Sequence, residues 1–342
     1  SLVSRFLENI SFGLSAGAAL RLFSKPDVIY SNAWPIFATG VIVMVAGWLR
    51  VPAIVSVQDV YPESLLVQGR LGGKSNAVKL LLKIDSWISN RAQAMIVISE
   101  EFARIYRDSR RVKPERIVVV PNWFDEMEWG RQKNDPHIRK RLDIREDDFL
   151  IAYGGNIGVA SGLEHLIRSM SRLLIKGTVT LLIAGDGSQL PECRALVKKL
   201  RLNRVFFYTP WPMEETLAVL KAADALILPT LGRQTDVSVP SKLIHYMLSG
   251  RPVIARVPDD SETARIIQGA ECGWTIKPMK PDLLPELIDQ ISHLPRERLN
   301  SMGDSGRRYA LEAFSSRRNL LRIHLTMSRC LRDFSSTQEN LV

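Results

Sequence analysis

Short, β-branched apolar runs alternate along this chain with longer segments whose apolar residues return every three to four positions. That alternation predicts parallel sheets covered by helices. Residues 2–23 carry a helical pattern, Val28-Ile29-Tyr30 a short strand, and Ala33 to Leu49 a strongly apolar helix. An α/β domain normally opens on a strand, so the helical start is unusual. The strand Ala53-Ile54-Val55-Ser56-Val57 then runs straight into the polar loop Gln58-Asp59-Val60-Tyr61-Pro62-Glu63-Ser64. Such a loop lies at the carboxyl edge of a parallel sheet, where ligands bind in this architecture. Asp59 and Glu63 are therefore the first carboxylates to test, with capping of a turn as the alternative for both. A helix from Asn76 to Arg91, a strand Ala94 to Ile98, a helix capped by Ser99 and a strand Ile117 to Val120 complete a first domain.

The polar stretch from Glu126 to Ile144 reads as an interdomain linker. Beyond it the strand Phe149 to Tyr153 enters Gly154-Gly155-Asn156-Ile157-Gly158, and a helix begins at Leu163. Val179 to Ala184 leads into Gly185-Asp186-Gly187, and Val205 to Tyr208 into Pro210-Trp211-Pro212. A helix from Met213 to Ala222 and a strand Asp224 to Pro229 precede Pro240-Ser241-Lys242, with Pro240 suited to the first turn of the next helix and Ser241 to its cap. Gly250 and Pro252 stop that helix before the buried strand Val253-Ile254-Ala255. Further units run to about Leu294, and a basic amphipathic segment covers Arg307 to Leu331. Glycines between strand and helix let backbone N–H groups approach an anion, and Lys242 at a helix start is a second anion point. Two such points in one sheet imply a phosphorylated ligand, most simply a nucleotide diphosphate held at the strand ends. Asn156 and Asp186 are either turn residues or contacts to it.

Composition narrows the choice. With 342 residues, 46% of them hydrophobic, the chain can bury two cores. Its net charge of +10 favours an acidic partner: nucleic acid, an anionic membrane or a phosphorylated substrate. Basic residues gather between Arg104 and Arg116 without the interleaved aromatics that base stacking needs, which argues against nucleic acid and leaves a solvated face or a membrane-facing patch. Cys193, Cys272 and Cys330 follow no metal or redox spacing and read as buried thiols in a reducing compartment. No signal-peptide pattern is read in these residues, and the apolar run Ala33 to Leu49, interrupted by Pro35, Gly40 and Gly47, falls short of the roughly 20 residues a bilayer needs. It reads as a buried helix between two strands. Gly69 to Ser75 fails as a phosphate loop because Gln68 stands where glycine is required. Gly185-x-Gly187-x-x-Leu190 fails as a dinucleotide fingerprint, lacking its third glycine and the acid about 20 residues on.

Taken in order, Gln58 to Glu63, Val120-Pro121-Asn122, Gly154 to Gly158, Ala184 to Gly187, Ala223-Asp224 and Pro240-Ser241-Lys242 with Gly250-Arg251-Pro252-Val253 resemble the GT-B retaining glycosyltransferases of family 4. The resemblance spans Val28 to about Leu294 and is strongest to the bacterial branch that builds O-antigen and capsule, including N-acetylfucosamine transferases. It implies an α/β fold of two Rossmann-like, doubly wound parallel-sheet domains facing a cleft. The expected boundaries are residues 1–140 for an acceptor-side domain, 141–310 for a donor domain and 311–342 for a C-terminal helix returning to the first domain. A UDP-sugar is the implied donor, held by Gly155, Asn156, Gly158, Gly185, Asp186, Gly187, Trp211, Pro240, Ser241, Lys242 and His245, with Trp211 or its neighbouring backbone at the base. Asp59, with Glu63, is implied to orient or deprotonate the hydroxyl of a saccharide or lipid-linked acceptor. No metal or other cofactor is required, and the expected station is peripheral, on the anionic inner face of the cell membrane. The chain departs from the family in several places. Gly158 and Ser161 stand near the usual basic pair, leaving Lys242 and Arg233 to supply positive charge. His245 replaces a glutamate, and the family's opening strand and glycine loop do not precede Ser1. A nucleotide-sugar epimerase of the same shape, and an inactive remnant that still binds nucleotide, are the competing readings.

Overall fold

The apolar runs become strands and the periodic segments become helices in a computed structural model that describes residues 2–22, 24–64, 76–173, 178–230, 240–278 and 283–339. The phosphate-loop candidate at Gly69 to Ser75, Arg233 and Val239 lie outside the described residues. The chain divides into two compact units, Ser1–Pro121 with Arg317–Val342, and Asn122–Ser316.

In the first unit, α1 (Leu2–Leu22), β1 (Ile29–Asn32), α2 (Ile36–Leu49), β2 (Ala53–Val57), α3 (Asn76–Arg91), β3 (Ala94–Val97), α4 (Glu100–Asp108) and β4 (Ile117–Val119) follow one another. The four strands pair in parallel in the order β1-β2-β3-β4. Every residue of β2 and β3 is buried, which is why both read as unbroken apolar runs. Ser99 caps α4 by accepting from the Phe102 N–H. Pro35 occupies the N-cap of α2, so the helix begins at Ile36. Its Ile36, Ala38, Val43 and Ala46 are buried, and α1 comes close enough that a Cβ on Gly13 would stand 2.7 Å from Ala38 Cα. Against the expectation of full burial, the opposite face is open, with Met44 56% and Trp48 63% exposed. No described helix is long and apolar enough to cross a membrane.

The second unit carries α5 (Glu126–Gly130), α6 (Ile138–Arg141), β5 (Phe149–Gly154), α7 (Leu163–Met170), β6 (Val179–Ala184), α8 (Leu190–Lys199), β7 (Val205–Tyr208), α9 (Thr216–Ala222), β8 (Ala225–Leu228), α10 (Ser241–Leu248), β9 (Val253–Arg256), α11 (Glu262–Gly269), β10 (Gly273–Ile276), α12 (Leu283–Ser292) and α13 (Arg296–Ala313). Its six strands are parallel in the order β10-β9-β8-β5-β6-β7. The winding reverses between β5 and β8, and a crevice opens beyond the strand ends at such a reversal. Alternate residues feed two cores, Leu150, Ala152 and Leu182 on one face and Ile151, Tyr153 and Ile183 on the other.

The polar segment read as a linker, Glu126 to Ile144, lies within the second unit. Ile138 and Ile144 are buried in its core, and the largely buried Arg139 donates to the Ala222 carbonyl (2.8 Å) and the Asp224 carboxylate (2.8 Å). Asp224 also accepts from the Leu150 N–H at 2.8 Å, so the Ala223-Asp224 motif fastens β5 to the start of β8. The last helix, α14 (Ser316–Glu339), returns to the first unit, where Ile323, Met327 and Cys330 pack on Ile54, Ala94, Ile96 and Val120. All three cysteines are free and buried.

Candidate active site

At the carboxyl end of β5 the backbone turns through Gly155 with φ +142, and beside it the β6 loop turns through Gly185 with φ +138. A Cβ on Gly185 would collide with the Gly155 carbonyl, and one on Gly155 with the Cε of Lys242. Only glycine permits this contact of two loops and a lysine stem. The expectation of free amides reaching an anion needs correction at two of these positions. The Gly155 N–H donates to the Ala184 carbonyl (2.9 Å) and the Ile157 N–H to the Asp186 carbonyl (2.8 Å), so those amides join the loops to each other. The Asp186 carboxylate accepts from the Gly187 N–H at 2.7 Å, as a turn residue does. Asn156 is exposed and its side-chain amide lies beside Gly158.

The helix α10 delivers Lys242 to that junction. Pro240 is its N-cap and Ser241 its exposed first residue, with no side-chain cap, so the capping role read for Ser241 does not hold. The Lys242 ammonium donates to the Tyr153 hydroxyl at 2.6 Å and stands 4.7 Å above the centre of that ring. Tyr153 in turn donates to the Asn156 carbonyl at 2.6 Å. Desolvation lowers the Lys242 pKa, and no carboxylate pairs with it among the described residues. One turn further along the helix, the Tyr246 hydroxyl accepts from the Gly154 N–H (2.8 Å) and donates to the Gly154 carbonyl (3.1 Å), pinning α10 to the end of β5. Burial pushes the phenols of Tyr153 and Tyr246 well above their ordinary value, so both remain protonated donors.

A cavity of about 330 Å³ opens against this junction, lined by Gly155, Lys242, His245, Trp129, Trp211 and Gln132 among others. His245 stacks on Trp129 with centroids 5.5 Å apart, and desolvation lowers its pKa against the opposing pull of Glu128. A neutral imidazole results at pH 7. Trp211 packs edge-on against Gly154. The indole N–H of Trp211 and the amide oxygen of Gln132 are buried without a hydrogen-bond partner, and both residues line this cavity. Gln132, Tyr153 and Tyr246 escaped the reading of the sequence. Tyr246 was accessible in principle as the residue one helical turn after Lys242, whereas Gln132 lay in a stretch whose polarity resembled linker.

In the first unit Asp59 follows β2 on the sheet's carboxyl edge and is exposed, with local desolvation raising its pKa. Glu63 is occupied: both its oxygens accept from the buried Arg110, at 2.5 and 2.6 Å. Arg110 also donates to Asp85 (2.9 Å) and to the Tyr61 carbonyl (2.7 Å), so one guanidinium holds the whole loop from Tyr61 to Glu63. Burial opposes the charge on Arg110, but the Glu63 and Asp85 carboxylates outweigh it and raise its pKa. Burial lifts Asp85 to about 6 in spite of that cation.

Residues 134–309 match the family model of the glycosyl transferases group 1, and residues 7–123 that of the glycosyl transferase 4-like domain. The chain belongs to the group 1 glycosyl transferases. This glycosyltransferase is 24% identical over 279 residues to the probable glycosyltransferase WbjE of Pseudomonas aeruginosa, covering 82% of its own length and 68% of that protein. It is 23% identical over 256 residues to the putative colanic acid biosynthesis glycosyl transferase WcaI of Escherichia coli, covering 73% and 62% respectively. Among solved structures, Anabaena Alr3699/HepE in complex with UDP superposes with a TM-score of 0.74 at 17% identity over 93% of this chain and 82% of that one. The likeness establishes the fold, two parallel-sheet α/β domains of the GT-B kind. The chain spans about two thirds of the length of these two relatives.

Proposed function

We propose that this glycosyltransferase takes a sugar, with retention of configuration, from a UDP-sugar held in the second unit and transfers it to a saccharide acceptor carried on lipid, in cell-surface polysaccharide synthesis. One observation carries the donor half of the reading: Lys242 keeps a desolvated cation, without a carboxylate among the described residues, where the two glycine loops meet. Holding a partly desolvated ammonium without a carboxylate is costly, and a diphosphate at this junction would supply a counter-charge. Charge grows on the diphosphate as the glycosidic bond to it breaks, so a fixed cation there stabilises the transition state more than the ground state. Trp211 and Gln132 line the cavity where the uracil ring or the sugar would lie. His245 offers its neutral imidazole to a hydroxyl. On the acceptor side Asp59, with its pKa raised by desolvation, is suited to take the proton of the attacking hydroxyl, while Glu63 holds the loop in place.

Peripheral attachment to the inner face of the membrane is supported by the open face of α1 and α2. Leu14, Leu22, Met44 and Trp48 surround an apolar groove there of about 650 Å³, and Lys25 and Arg50 at the ends of these helices are exposed. Calorimetric titration with UDP tests the central claim: saturable binding by the intact chain and a loss of about 10 to 100-fold in Lys242→Ala, the range of one charged hydrogen bond. Absence of heat, or unchanged affinity in the variant, would overturn the reading. For the membrane, sedimentation should retain the protein on vesicles containing anionic lipid and release it from neutral ones, with Trp48→Glu reducing retention.

A further inference from the structure

Beyond the last residues of β1 and β2, at the carboxyl edge of the first sheet, two aromatic rings lie face to face. Trp34 and Tyr61 stack with centroids 4.3 Å apart and planes 21° from parallel, and Trp34 remains 48% exposed. The strand register sets Asn32 opposite Ser56, which brings the ends of both strands, and the loops that leave them, together. Asn32, the last residue of β1, and Gln58 and Asp59, which follow β2, are all exposed. An exposed aromatic face at the same sheet edge as two amides and a carboxylate combines the two chemistries that recognise a sugar: an apolar ring plane, and hydrogen-bonding groups that answer hydroxyls.

The pair is also held rigidly. The Ala33 N–H donates to the Ser56 carbonyl (2.7 Å), and the Thr39 hydroxyl donates to the Asn32 carbonyl (2.7 Å), fixing the Trp34 loop. Arg110 fixes the other loop through the Tyr61 carbonyl and both oxygens of Glu63. A large exposed indole kept stacked by two braced loops is preorganised for a ligand and loses little freedom on binding.

We infer that the Trp34–Tyr61 pair is a saccharide platform, on which a ring of the acceptor lies against the outer face of Trp34 while Asn32, Gln58 and Asp59 take its hydroxyls. The inference rests on the acceptor-side reading of the first unit given above and names the surface that does the recognising. Trp34 is a binding and positioning residue in this scheme, and Asp59 alone faces the reacting hydroxyl.

The test is saturation-transfer NMR on the full chain with UDP at saturating concentration, so that the donor cavity is filled. Methyl N-acetyl-α-glucosaminide, methyl α-glucoside and methyl α-fucoside serve as probes, with farnesyl phosphate as the lipid control. Transfer to ring C–H protons of at least one sugar is expected. Its apparent affinity should drop about tenfold or more in Trp34→Ala, the scale of an aromatic anchor, and less in Trp34→Phe, which keeps a ring. Gln58→Ala at the exposed rim should weaken the same probe, and UDP should titrate all three variants as it does the parent. No transfer to any of the sugars, transfer equal in parent and Trp34→Ala, or transfer to farnesyl phosphate alone overturns the inference. Failure of UDP to bind the parent would instead overturn the donor reading, and sugar transfer measured without UDP would then still report on the platform.

Discussion

Lys242 carries its charge where solvent is scarce, and the consequences are measurable at the level of that one side chain. Its lowered pKa means that the folded protein releases the Lys242 proton at a pH where the unfolded chain still holds it. Stability therefore rises with pH between the folded and unfolded values, from which this residue's cost is fully present below the folded value. UDP affinity should move the other way, constant near neutrality and falling as pH rises through a value below the ordinary lysine 10.5, with the fall absent in Lys242→Ala. Titration calorimetry across alkaline pH checks this. Gly155→Ala places a methyl group on the Lys242 stem at φ +142, and a loss of about 1–3 kcal/mol in urea unfolding is expected, together with weakened UDP binding. At this scale the sequence was legible where a residue acts through its own position in an element, as Lys242 does at a helix start. It was silent where the partner comes from another element. Nothing local tells that Tyr153, the last apolar-looking residue of a strand, will meet a lysine 89 positions later. Ser241 misled for a different reason: Pro240, read as a first-turn residue, took the cap position itself.

At the scale of elements, α10 is the part that joins chemistry to scaffold. Its buried face, Leu243, Ile244, Met247 and Leu248, enters the core, and Tyr246 grips both backbone groups of Gly154. Tyr246→Phe leaves a buried amide and a carbonyl without partners. About 1–3 kcal/mol should be lost in chemical unfolding, and UDP affinity should fall by less than in Lys242→Ala, since the ammonium survives while its mounting loosens. The strands and most helices were readable because burial on two faces writes unbroken apolar runs and burial on one face writes a helical period. Two elements were misread from the same physics. The α6 segment hides its anchoring in charge, because the buried Arg139 works through hydrogen bonds to carbonyls and Asp224 that no hydrophobic pattern displays. The α2 helix shows apolar residues all round although one side is open, a composition that serves a buried helix and a membrane-facing one equally well.

At the scale of the molecule, each unit has its own sheet and its own core, and the UDP site proposed above belongs to the second. UDP at about 100 times its dissociation constant should raise the stability of the second unit by about 2.7 kcal/mol, which differential scanning calorimetry would register as an upward shift of its transition. The division after Pro121 and the return of α14 to the first unit separate sequence neighbours and join distant ones. The core cluster that Cys330 shares with Ile54 and Ala94 joins residues distant in sequence for that reason. The shielded cysteines then have a practical corollary. Cys330 belongs to one unit and Cys193 and Cys272 to the other, each at most 4% exposed, so an alkylating reagent can reach them only when the surrounding structure parts. Mass spectrometry of the three peptides would thus time the opening of either half in the natural chain, with no reporter introduced.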